Sequence, residues 1–104
     1  MSSEESMPKW DVALAAMAHD ACKQKAAPLK LDDFHQLAGK HAIRLDDIME
    51  TMFLLVIHGK WRYTDKSGAE QQLDQETLDN LYVKRRLSED ELSTFDGGWQ
   101  PRQM

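Results

Sequence analysis

Few side chains in this chain are suited to chemistry, and their spacing narrows what they could do. His19 and Cys22 stand three apart, which puts them on one face of a helix. Two ligands leave a zinc ion short, because zinc takes three or four from the protein. His35, His41 and His58 would have to converge on that pair from elsewhere. The plainer reading is a small buried thiol and surface histidines. Asp46, Asp47 and Glu50 could attract a cation to a helix start, but acids there ordinarily offset the positive end of the helix dipole. No G-x-S-x-G, P-loop or H-E-x-x-H pattern occurs, and Cys22 has no activating base at a recognisable spacing. His58-Gly59-Lys60 contains a single glycine, too few for a nest of amides around a phosphate. These residues predict a protein that is not an enzyme and holds no metal or cofactor.

Composition sets the frame. A chain of 104 residues makes one domain and buries roughly two-thirds of its unfolded surface. The net charge of −5 weighs against a dedicated nucleic-acid binder, whose phosphate contacts need clustered Lys and Arg. Lys84-Arg85-Arg86 is the one basic cluster, and it reads as a solvated face near a helix C-terminus. Cys22 is the sole cysteine, so no internal disulfide forms. The acidic N-terminus lacks a basic region followed by an apolar core, and so does not read as a signal peptide. The longest apolar run, Met52 to Ile57, is far short of the roughly 20 residues that span a bilayer. A cytoplasmic protein with no membrane segment is expected.

The elements that must position these residues follow from pattern and punctuation. Met1–Met7 is Ser- and Glu-rich and is expected to be disordered, with Met7 an alternative start. A single domain is expected over 8–96. Its first helix runs from Pro8 to Gln24, with Trp10, Ala13, Leu14, Met17 and Ala21 as the buried stripe, and Ala27-Pro28 ends it. A second helix covers Leu31 to Gly39 or Lys40, broken by Gly39 or by His41-Ala42, and a third covers Leu45 to Ile57, each with two aspartates in its first turn. After Gly59, residues 60–63 alternate as a strand, 64–68 turn, and 69–73 return as its hairpin partner. Asp74 caps a helix over 75–83, and Ser88-Glu89-Asp90-Glu91 is a capping box for a short helix over 89–95. Gly97-Gly98 stops that helix, and 97–104 is expected to be a flexible tail.

Leu37-Ala38, Ala42-Ile43, Ile48 and Met52 fall at the apolar positions of a helix-turn-helix, and Leu55 and Gly59 at the Leu and Gly that end its third helix. The chain thus resembles the winged helix-turn-helix superfamily over Trp10–Leu73, with 60–73 as a two-stranded wing on a three-helix core and helices beyond it. Where the superfamily prefers Gly, this chain has Ala42. The resemblance implies DNA binding, with the third helix in the major groove. That helix would present Arg44, Leu45, Asp46, Asp47, Met49, Glu50 and Phe53, and the wing Lys60, Arg62 and Lys66. The helix residues are more acidic than basic, which repels phosphates. The helix is also apolar nearly all round: Ile48, Met52 and Leu55 make one face, and Met49, Phe53 and Ile57 a second. Either the C-terminal helices cover the second face, through Leu78, Leu81, Tyr82, Leu87 and Leu92, or Met49, Phe53 and Trp99 meet a partner. The sequence therefore favours a protein-interaction or regulatory module that binds a partner or a second copy through Met49, Phe53, Ile57, Asp46, Asp47 and Glu50. The alternative is a DNA-binding regulator using Arg44, Lys60, Arg62 and Lys66.

Overall fold

The computed structural model describes residues 10–83, 86–87 and 89–102. The expected disorder of Met1–Met7 lies outside them, as do Lys84 and Arg85 of the basic cluster and Ser88 of the capping box. The chain is mainly helical, with a small three-stranded antiparallel sheet.

Helix α1 spans Val12–Lys25. It starts later than Pro8, because the Asp11 carboxylate accepts the Leu14 N–H at 3.1 Å and caps the first turn. Helix α2 spans Leu31–His41 and runs through Gly39. What stops it is Ala42, in the left-handed region at φ 55°, with the Ile43 N–H donating back to the Ala38 carbonyl at 3.0 Å. Helix α3 spans Leu45–Ile57 as its pattern predicts. Gly59 takes φ 77° and lets the Lys60 N–H reach the Leu55 carbonyl at 2.8 Å, which closes the helix and turns the chain into strand β1, Trp61–Thr64.

Strand β1 returns as β2, Glu70–Gln71, so the expected hairpin forms with a shorter second strand. In its loop the Asp65 carboxylate accepts the backbone N–H groups of Ser67 and Ala69, at 2.9 and 3.1 Å. Helix α4 spans Gln75–Leu81 and is capped by Asp74, which accepts from both the N–H and the hydroxyl of Thr77. It ends short of Val83 because Tyr82–Val83 (β3) pairs with Arg86–Leu87 (β4), a small hairpin without a turn signal in the sequence. Helix α5, Glu89–Leu92, tightens into a 3-10 turn over Ser93–Phe95.

The tail expected to be flexible over 97–104 is corrected within the described residues by strand β5, Gly98–Pro101, and residues 103–104 lie outside them. It pairs antiparallel with β1 along its full length, giving the order β2-β1-β5. On its other side Trp99 exchanges two backbone hydrogen bonds with Leu29, each 2.8 Å. Alternation along β5 turns Trp99 inward, where it is fully buried against Phe34, Phe53 and Tyr63. Gly97 makes the entry: its N–H donates to the Tyr63 hydroxyl at 3.0 Å, and a Cβ there would lie 1.9 Å from the Thr64 carbonyl oxygen. Only a glycine lets the chain pass that close.

Candidate functional site

Helix α3 is the centre of the core. Ile48, Met49, Thr51, Met52, Phe53, Leu55 and Val56 are all buried, so the helix is enclosed on most sides. The second apolar face has its cover inside the chain. Phe53 meets Phe95 edge-on at 5.1 Å and Trp99 at a tilt at 5.2 Å. Helix α4 packs along α3 with Leu78 and Leu81 buried. The expectation that Met49 and Phe53 meet a partner is therefore corrected: both have 0% exposure, and Phe95 and Trp99 pack on the Phe53 ring. Trp99, the third residue suspected of contacting a partner, is part of that cover.

The remaining predicted residues separate by position. Asp46 is half-buried, and its carboxylate meets the Arg44 guanidinium at 3.1 Å. Asp47 and Glu50 are exposed, and Ile57 is half-buried. With Leu54, also half-buried, these form the series 47, 50, 54, 57, which follows helical spacing along one outer strip of α3. The strip is acidic toward the N-terminus and apolar toward the C-terminus.

Beside the acidic half of the strip lies an open groove of about 390 Å³ between α1 and α3. Leu14 of α1, Ile43 from the α2–α3 turn and Leu54 of α3 give it apolar walls, with Ala13 at its edge. Asp11, Asp47 and Glu50 are its charged residues, and among the described residues no Lys, Arg or His lines it. Asp11 is placed there by its capping role, which leaves its second oxygen available. Asp47 in the first turn also offsets the dipole, but that effect fades within one turn and does not account for Glu50. Leu14, Ile43 and Leu54 were not singled out from sequence as a surface. Half-buried residues at helical spacing look there like ordinary core positions, and only the crossing of α1 over α3 makes them neighbours.

The basic residues assigned to DNA do not gather into a patch facing that groove. Lys66 pairs with Asp96 at 3.3 Å. Arg62 lies across from Gln100 on β5, whose amide oxygen, turned toward it, accepts from the guanidinium at 2.6 and 2.7 Å. Arg44 is held by Asp46, and Lys60 is exposed at the start of the hairpin.

No group of three or more His, Cys, Asp or Glu side chains is placed to hold a metal ion among the described residues. The Cys22 thiol is buried and donates to the Ala27 carbonyl at 3.4 Å, and burial pushes its pKa up, away from the reactive thiolate. His58 sits against the Trp10 ring at 5.8 Å. No described helix is long and apolar enough to cross a membrane. Comparison with protein-family models, curated proteins and solved structures finds no match in any of the three, which leaves the α1/α3 groove as the ground for a functional reading.

Proposed function

We propose that this chain is a small, non-enzymatic, cytoplasmic interaction module on a winged-helix-like core, and that it binds a protein partner through the outer strip of α3. One observation carries the reading: the face of α3 left open is acidic beside an apolar groove, with Asp47 and Glu50 exposed and Leu54 and Ile57 half-buried. An apolar surface with a polar, solvent-accessible rim is the usual anatomy of a docking site. The winged-helix core is supported by the order of helices and hairpin, and by Ala42, whose left-handed backbone is the conformation for which that family uses Gly.

DNA binding is the second reading. The exposure of Arg44 and Lys66, with 63% and 75% of their side-chain surface accessible, speaks for it. The acidic strip speaks against it, because a groove-entering α3 would bring Asp47 and Glu50 toward phosphates.

Affinity purification of the tagged chain from its own cells, beside a Glu50→Lys variant, tests the two. The expected result is a protein recovered with the native chain and lost with the variant, and no nucleic acid in either sample. Retardation of duplex DNA at low salt, steeply weakened by added salt and strengthened by Glu50→Lys, would replace this reading with the second.

A further inference from the structure

We infer that the α1/α3 groove receives a basic amphipathic helix of a different protein, an inference that rests on the interaction-module reading. Charge names the occupant. The groove sets Asp11, Asp47 and Glu50 around apolar walls and has no cation among its described lining residues. A segment that seats apolar side chains against Leu14, Ile43 and Leu54 must therefore carry Lys or Arg beside them to match the rim. A second copy of this chain does not fit. A two-fold contact through this face would bring both copies' Asp11, Asp47 and Glu50 into one interface with no described lining cation to offset them, and the chain as a whole carries −5. The N-terminal residues Met1–Met7, with Glu4 and Glu5, carry the same sign and are poor occupants for the same reason.

Geometry favours a helix over an extended strand. The walls are two helices with the α2–α3 turn at one end, and such a groove takes a third helix by its i, i+3, i+4, i+7 anchors. An added strand needs an open sheet edge, and no strand borders this groove. The strip also sets direction. Its acids lie at residues 47 and 50 and its apolar residues at 54 and 57, so the basic end of the incoming helix lies over the start of α3 and its apolar anchors over the end.

The test is a titration of the full chain, isotope-labelled for NMR, with a synthetic peptide. The peptide carries leucines at i, i+3, i+4 and i+7 and flanking Lys and Arg. Controls are a scrambled peptide of the same composition and one with Glu in place of each Lys and Arg. The expected result is saturable binding by the first peptide alone, with shifts centred on Leu14, Ile43, Asp47, Glu50 and Leu54. Glu50→Lys and Ala13→Gln, both at exposed positions, should each weaken binding roughly tenfold or more while leaving the melting temperature within a few degrees. Equal binding of the scrambled peptide, or shifts centred elsewhere, overturns the inference. If no peptide binds but a natural partner is captured and lost with Glu50→Lys, the interaction module stands and the basic helix is overturned. If neither occurs, both fall.

Discussion

Replacing Trp99 with Ala tests whether the C-terminal strand is a structural member of the core. The side chain is fully buried and contacts three rings: Phe34 with centroids 6.2 Å apart, Phe53 at 5.2 Å and Tyr63 at 4.7 Å. Its indole N–H also donates to the Phe95 carbonyl at 3.3 Å. Burying an aromatic of this size removes roughly 150–250 Å² from water, and at about 25 cal/mol per Å² that stabilises by about 4–6 kcal/mol. Alanine keeps a small part of this, and the cavity it leaves relaxes incompletely, so the expected loss is about 3–5 kcal/mol. In a domain of this size that lowers the melting temperature by roughly 15–30 °C. Circular dichroism melts and urea titrations of Trp99→Ala and Trp99→Phe measure it, and the phenylalanine variant should recover more than half of the loss. A drop below about 5 °C for Trp99→Ala would mean that 97–104 is the loose tail its sequence suggests, and that the cover over Phe53 comes from elsewhere.

Ala42→Gly should stabilise the chain by about 1 kcal/mol, read as a higher urea midpoint, because Ala42 is exposed and held at φ 55°, where a Cβ is penalised. Gly97→Ala should destabilise by about 1–3 kcal/mol or more in the same titration, since its Cβ would fall 1.9 Å from the Thr64 oxygen and 2.8 Å from the Asp65 Cα. The Asp65 carboxyl is held at about 2, against an ordinary 3.8, by the Ser67 hydroxyl, the Gln71 amide and the Ala69 N–H. A carboxyl whose folded pKa is depressed contributes stability that is complete above pH 4 and is lost as pH falls from about 4 toward 2. Asp65→Asn should flatten that part of the acid-unfolding curve by lowering stability at neutral pH, where the native carboxylate's contribution is complete, while leaving the variant and the native chain alike near pH 2.

The sequence is legible where local signals are strong and opaque where the decisive contact is distant. Helix α3 is bounded by paired aspartates at one end and Gly59 at the other, and it forms where they place it. Its all-round apolar character correctly requires cover on both sides, and the C-terminal helices do supply part of it. What the sequence does not disclose is that Trp99 completes that cover. Gly97, Gly98 and Pro101 surround it with the marks of a loop, while its partners Leu29, Phe34, Phe53 and Tyr63 lie far along the chain. A proline at the last position of β5 is compatible with a strand, but periodicity over four residues is too short to announce one. The end of α2 is legible only as a choice between Gly39 and His41-Ala42: a helix tolerates an interior glycine at about 1 kcal/mol, and the chain turns at Ala42. In the candidate site, Asp47 and Glu50 are legible as exposed acids, whereas the groove beside them exists only once α1 crosses α3.

The cost of uncovering Met49 and Phe53 decides between the two faces of α3. A partner that used Phe53 would first have to displace Phe95 and Trp99. Removing Trp99 burial alone costs about 4 kcal/mol, which leaves roughly one molecule in a thousand open and weakens any such partner's affinity by the same factor. A partner on the strip of Asp47, Glu50, Leu54 and Ile57 meets that surface as it stands. The half-buried Phe95, 5.1 Å from the Phe53 ring, separates the cases without removing the strand itself. Phe95→Ala loosens the cover and raises the open fraction. It should therefore tighten binding to the Met49/Phe53 face by roughly tenfold or more, and leave binding to the strip within about a factor of two. Isothermal titration of the captured partner against the native chain and this variant reads the difference, and tighter binding to Phe95→Ala would refute docking on the outer strip.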